Sequence, residues 1–168
     1  RAKINIYSPE LDRQLIKSLK YFTYPTEFED LKVIVNSLVL HGRYDDDSLH
    51  LELFVGDARE YILKFEDNMF DIIYQDAFSP STNPTLWTQE YFRDIARIIK
   101  KTGVLTTYSI ALPTRLALYE NGFSVYIHSG ENFRDSTLAS LCTVKGFKEV
   151  NMEHKISCNP KVQSLRDE

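Results

Sequence analysis

The sequence predicts an α/β domain, a mostly parallel sheet flanked by helices and closed by an antiparallel strand pair toward the C-terminus. Three observations carry this. Short β-rich segments alternate with segments of helical period, the pattern of a parallel sheet with helices on both faces. Two of the β-rich segments, Leu49–Val55 (LHLELFV) and Phe70–Tyr74 (FDIIY), are nearly continuous apolar runs suited to the inside of a covered sheet. The last two, Phe123–His128 and Thr137–Val144, are joined only by the polar loop Ser129–Ser136, which predicts antiparallel pairing.

Taken in order, Lys3–Ser8 (KINIYS) reads as the first strand. Pro9 then pre-sets the first turn of a helix through Leu11, Leu15, Ile16 and Leu19. After Tyr24-Pro25 a second helical pattern runs through Phe28, Leu31, Val35 and Leu38 and ends near Gly42. Tyr44–Ser48, with three consecutive aspartates, reads as a solvated turn before the strand Leu49–Val55. Gly56-Asp57 closes that strand, and Ala58–Phe65 reads as a short helix before Phe70–Tyr74. Thr85–Lys101 is the clearest helix, with Trp87, Tyr91, Ile95, Ile98 and Ile99 on one face and a basic end. Gly103 breaks it, and Val104–Tyr108 returns as a strand. Pro113 and Asn121-Gly122 bracket a further helix before the closing pair.

The domain is expected over residues 1–148, followed by a tail, 149–168, that lacks a period and contains Asn159 and Pro160. The 168 residues are 43% hydrophobic and 26% charged, the composition of a folded globular chain. No run approaches the roughly 20 apolar residues of a membrane span, so no membrane partner is expected. The chain begins with Arg rather than Met, and an upstream segment is expected. Its two cysteines, Cys142 and Cys158, have no ligand-like spacing, and its four histidines show none either. A reducing, cytoplasmic setting without disulfides or metal is expected. A net charge of −4 argues against wholesale nucleic-acid binding but leaves room for a local basic patch. Lys17, Lys20, Arg93, Arg97, Lys100, Lys101 and Arg134 are candidates, or else solvated helix faces.

In parallel sheets of this kind, ligands bind beyond the C-terminal ends of the strands. Those positions are Ser8–Glu10, Gly56–Ala58, Asp76–Pro80 and Ser109–Ala111, and three of the four carry an acidic residue. Asp57 has two readings, an acceptor for an exocyclic amine such as adenine's or a helix N-cap. Glu10 either takes the hydroxyls of a ribose or complements a helix dipole. Asp76 either orients or deprotonates an amine nucleophile, or else initiates a turn. Trp87, the single tryptophan, reads as core. Phe78 is harder to explain by burial and suits stacking on a splayed-out base.

The segment Gln75–Trp87 (QDAFSPSTNPTLW) resembles the MnmC-like methyltransferases, which complete the 5-methylaminomethyl group on the tRNA wobble uridine. Asp76, Phe78, Pro80, Asn83, Pro84 and Trp87 match the family pattern. Gly56-Asp57, the Gly103 turn and Thr106–Phe123, with Arg115 ahead of Gly122-Phe123, are similar too. The resemblance spans about Lys3 to Val144. It departs at Leu112, where the family tends to have Gly, and at the less basic stretch 131–136.

The resemblance implies a Rossmann-like, S-adenosylmethionine-dependent methyltransferase fold acting on 5-aminomethyl(-2-thio)uridine in the anticodon loop. The family's first strand and glycine-rich turn are expected upstream of Lys3. Cofactor-binding positions would be Glu10, Gly56, Asp57, Ala58, Asp76, Ala77 and Phe78. Asp76 would be catalytic, and Phe78, Pro80 and Arg115 would bind substrate. This would be a stand-alone form, partnered by tRNA and by a separate oxidoreductase or upstream modification enzyme. The alternatives are a spermidine-synthase-like or small-molecule amine transferase, and a non-catalytic relative that binds tRNA or protein.

Overall fold

Strand β1 (Ile4–Glu10) lies parallel to β3 (Leu49–Val55), with Ile4 opposite Leu49 and Glu10 opposite Val55, so both strands end at the same level. A computed structural model describes residues 2–131 and 133–167 and divides the chain into two units, 1–61 and 62–168.

In the first unit β1 runs through Pro9, where a helix was expected to start. The helix instead starts four residues later as α1 (Arg13–Ser18), because Asp12 caps it by accepting from the Gln14 and Leu15 amides. Glu10 is therefore a strand-end residue and not part of a helix. After two 3-10 turns (Leu19–Tyr21 and Thr26–Leu31) comes α2 (Lys32–His41). It ends at Gly42, whose φ of 69° is the left-handed conformation glycine adopts freely. The expected turn at Tyr44–Ser48 is partly a strand. Strand β2 (Arg43–Asp45) pairs antiparallel with β3, and Asp46 makes the turn by accepting from the Ser48 and Leu49 amides. The sheet order is β1-β3-β2.

Although β3 is as apolar as expected, all seven of its positions are only half-buried. Among the described hydrophobic residues of this unit, only Ile16 and Tyr61 are buried. The Tyr61 ring stacks on Phe54 at 4.4 Å, and its hydroxyl donates to Glu52 at 2.7 Å. Helix α3 (Ala58–Ile62) follows, three residues shorter than the sequence suggested, and the unit boundary falls inside it.

The second unit contains a five-stranded sheet of order β4-β5-β7-β6-β8. Strands β4 (Phe70–Tyr74) and β5 (Ile99–Thr107) are parallel, joined through α4 (Gln89–Ile98). Expected to start at Thr85, α4 starts after Thr88, whose side chain accepts from the Tyr91 amide; Pro84–Leu86 form a separate 3-10 turn. At its other end β-branched Ile99 begins β5, and Gly103 lies within that strand rather than ending a helix. A Cβ on Gly103 would sit 2.9 Å from the Phe70 carbonyl oxygen, so the close approach of β4 requires glycine there.

Helix α5 (Leu112–Glu120) leads to the closing pair, β6 (Ser124–Gly130) and β7 (Phe133–Ser140), antiparallel as expected but with a tighter connection. Asn132, in the expected loop, lies outside the described residues. Strand β7 inserts between β5 and β6. Residues 149–168, expected as a tail, carry the end of β8 (Lys148–Glu149) and α6 (Met152–Cys158) and pack on this unit. Val150 and Met152 are buried, the Val150 amide bonds Val125, and Leu165 bridges to Thr88.

The core of this unit is built from Trp87, Phe92, Ile95, Leu105, Leu118 and Phe123, with their neighbours. Strand β4 was expected to be buried, yet Ile72 and Tyr74 are 54% and 76% exposed. Among the described residues it is bonded along one edge only, by β5. No helix among the described residues is long and apolar enough to cross a membrane.

Candidate active site

The loop after β4 is tied down by several hydrogen bonds while the Asp76 side chain makes none among the described residues. Gln75 is buried at the strand end. Its amide N–H bonds the Thr106 carbonyl, its Nε2 donates to Leu86 O at 2.7 Å, and its Oε1 accepts from the Tyr91 hydroxyl at 3.1 Å. Three residues on, Trp87 Nε1 donates to the Phe78 carbonyl at 2.7 Å from a fully buried ring. Between them the Tyr108 hydroxyl donates to the Ala77 carbonyl at 2.9 Å. Ser79 closes the following turn, its carbonyl accepting from the Thr82 and Asn83 amides. Pro80 is partly buried in that turn.

Two side chains project from this clamped backbone. Asp76 is exposed, and its carboxylate has no hydrogen-bond or ion-pair partner among the described residues. The following turn is closed by the Ser79 carbonyl rather than by a side-chain bond from Asp76. Phe78 is 77% exposed while its own carbonyl is tied down by Trp87. The result is a free carboxylate two residues from a free aromatic face.

Arg115 belongs to the same strand-end region. Its Nε donates to Thr137 Oγ1 at 3.0 Å, and that hydroxyl donates to the Ser109 carbonyl, beyond the end of β5, at 2.6 Å. Partial burial pulls the guanidinium below its ordinary value, and the nearby Asp135 carboxylate opposes this.

The first unit groups the remaining candidates. Glu10 and Val55 end their strands side by side, and the Gly56 amide bonds the Glu10 carbonyl at 2.9 Å. Asp57 Oδ1 accepts from the Arg59 amide at 2.7 Å, and Glu10 Oε1 accepts from the Asp12 amide at 2.7 Å. Each carboxylate thus uses one oxygen on local backbone and keeps one without a partner among the described residues. Both readings of Asp57, cap and ligand acceptor, are compatible with this geometry. Ala58 starts α3 and is partly buried beside them.

Two of the basic candidates are structural. Arg97 bonds the Phe65 and Ile62 carbonyls and Asp67, and Lys100 pairs with Asp71 at 2.8 Å. Sequence reasoning missed Gln75, Tyr108 and Thr137, the groups that position the loop and Arg115. A polar residue directly after an apolar strand was the available signal for Gln75.

Residues 31–141 match the family described as S-adenosyl-L-methionine-dependent methyltransferase. An uncharacterized protein of Methanocaldococcus jannaschii is 40% identical over 82 residues, 49% of this chain and 23% of that protein. The tRNA 5-methylaminomethyl-2-thiouridine biosynthesis bifunctional protein MnmC of Ralstonia nicotianae is 38% identical over 101 residues, 60% of this chain and 15% of that protein. The chain therefore spans less than a quarter of either curated relative. The crystal structure of MnmC2 from Aquifex aeolicus superposes with a TM-score of 0.77 at 26% identity, covering 100% of this chain and 63% of that one. A probable spermidine synthase from Corynebacterium glutamicum shares the fold, with a TM-score of 0.54 at 14% identity, covering 99% of this chain and 73% of that one.

Proposed function

The chain belongs to the S-adenosyl-L-methionine-dependent methyltransferases, and from that premise we propose that it methylates the aminomethyl nitrogen of 5-aminomethyl-uridine, or its 2-thio form, at the tRNA wobble position. The observation that carries this reading is the unpartnered Asp76 carboxylate beside exposed Phe78 on a backbone fixed by Gln75, Trp87 and Tyr108. The similarity to MnmC and MnmC2 supports it from outside the site.

Asp76 accepts one N–H of the substrate amine and so orients its lone pair away from the carboxylate. As the nitrogen becomes a secondary ammonium it gains positive charge, which the fixed carboxylate stabilises before a proton is released. Phe78 stacks on the extruded uracil ring, and Pro80 narrows the entrance. Extrusion is cheaper from an anticodon loop than from a duplex, which suits a site that offers one aromatic face.

S-adenosylmethionine, when bound, supplies an already activated methyl group, so the protein's task is mainly to position and desolvate the reactants. The first unit fits its nucleoside part. The free oxygen of Glu10 suits ribose hydroxyls and that of Asp57 the adenine amine, with Gly56 and Ala58 leaving the strand end unobstructed. Ala77 adds a small side chain between Asp76 and Phe78.

The test is methyl transfer to aminomethyl-uridine tRNA, with polyamines offered in parallel. Asp76→Ala is expected to reduce transfer to tRNA by about 10²–10⁴-fold. Turnover of polyamines instead of tRNA would point to an amine transferase, and activity unchanged by Asp76→Ala would remove the carboxylate from the mechanism.

A further inference from the structure

A cavity of about 270 Å³ in the second unit is lined by Ile110, Leu112, Arg115, Val150, Lys155 and Asn159. At about 30 Å³ per water this is room for roughly nine waters. An adjoining cavity of about 510 Å³ shares Leu112 and Asn159 and adds Lys161. Three cationic side chains from two distant parts of the chain therefore line a shallow recess made of two open depressions with Leu112 and Asn159 in common. The residues after 148 supply two of the three cations.

Arg115 is set into this recess by its Nε bond to Thr137, which leaves the two terminal nitrogens of its planar fork uncommitted. Among the described residues no carboxylate forms an ion pair with Arg115, Lys155 or Lys161. Asp135 acts on Arg115 only at longer range. The start of α5 adds to the positive field. No side chain caps it, and its first residue, Leu112, lines both cavities. Asn159 also lines both depressions, its side-chain amide donating to the Lys155 carbonyl at 2.9 Å. A planar guanidinium, two flexible ammonium groups and an uncapped helix start make a receptor for a tetrahedral oxyanion.

The recess also has a fixed relation to the loop after β4. Tyr108 bonds the Ala77 carbonyl, and Thr137 links the Ser109 carbonyl to Arg115. The strand-end run Tyr108–Ile110 thus borders the Asp76 loop on one side and the recess on the other. A chain of net charge −4 needs such a local basic site to hold RNA at all.

We infer that this recess seats a backbone phosphate of the RNA whose base enters the Asp76 loop. The inference rests on the tRNA reading given under Proposed function, and its test is separable from that reading. Anisotropy of a labelled anticodon stem-loop RNA, titrated with the full chain over a range of salt, reads phosphate binding without any methyl transfer. Lys155→Gln combined with Lys161→Gln changes only exposed side chains and is expected to weaken binding several-fold. It is also expected to lower the slope of log K against log salt by about 0.7 for each single-strand phosphate that the variant no longer neutralises. Arg115→Lys keeps the charge but loses the fork, so affinity falls while the slope stays near that of wild type.

An unchanged slope in the double lysine variant overturns the inference. So does inorganic phosphate that binds the recess at matched ionic strength without displacing the RNA, which would make it a site for free phosphate. RNA that binds with the expected slope change yet is not methylated would fail the wobble-uridine reading and keep the phosphate site. Methylation with an unaltered slope would do the reverse.

Discussion

Strand β5 in the second unit has Ile99, Leu105 and Thr107 buried and is bonded to a neighbour on each side. Strand β3 in the first unit is at least as apolar, yet none of its seven residues is buried, although β1 and β2 flank it. Both strands have their hydrogen bonds, so the difference lies in what covers the sheet faces. In the second unit α4, α5 and α6 carry large side chains into the core. In the first, α2 contributes no buried residue and α1 contributes Ile16 alone. An apolar strand sequence selects extended structure; burial additionally needs a packed layer over it.

This contrast predicts an unequal response to cavities. Phe92 is fully buried, so Phe92→Ala should cost about 3–5 kcal/mol in urea unfolding. Leu53→Ala in half-buried β3 should cost well under half of that, because its surroundings already include solvent. Equal losses would mean that the first unit is packed as tightly as the second.

The next effect concerns the clamp under Asp76. Gln75→Ala removes the buried amide that donates to Leu86 O and accepts from the Tyr91 hydroxyl, a loss of about 1–3 kcal/mol. Methyl transfer should fall with it, since the backbone that aims Asp76 loses its anchor. Wild-type activity in a correctly folded Gln75→Ala protein would show that Trp87 and Tyr108 hold the loop without it.

The boundaries most legible in the sequence were those marked by local chemistry. Leu49–Val55 and Phe70–Tyr74 are strands at the residues expected, and Gly42 ends its helix. Pro9 misled because proline tolerates both a first helical turn and a strand with one unpaired edge; Asp12, the actual cap, outweighed it. The start of α4 was misplaced for a similar reason, since Thr85 and Thr88 are both competent caps and only the latter bonds Tyr91. Asp76 and Phe78 could be singled out as candidates from type and position. The groups that fix them could not, because Gln75, Tyr108 and Thr137 act through partners 11 to 31 residues away in sequence.

A smaller effect returns to the first unit. Asp12 accepts two amide bonds at the start of a six-residue helix with one buried side chain. Asp12→Ala should cost about 1 kcal/mol, concentrated as faster hydrogen exchange in α1 and leaving α4 unaffected. A matching change in α4 would show that the two units unfold together.

The smallest effects are in pH, where two groups of the first unit act in opposite ranges. Backbone and side-chain bonds from Ser48 and the Leu49 amide hold the Asp46 carboxyl down to about 2. Its contribution is therefore complete above the ordinary carboxylate range near 4 and is lost as pH falls toward about 2. The advantage of wild type over Asp46→Asn should shrink over that interval. Burial, then the bond to Glu52, push the Tyr61 phenol upward. The folded chain thus keeps a proton that the unfolded chain releases above about 10, and stability falls as pH rises beyond that point. Urea unfolding of wild type and Tyr61→Phe on either side of pH ~10 reads this directly. The wild-type advantage should narrow on the alkaline side, because phenylalanine has no proton to lose. A constant difference would mean that Tyr61 reaches solvent through the thin first unit, which would deepen its contrast with the second.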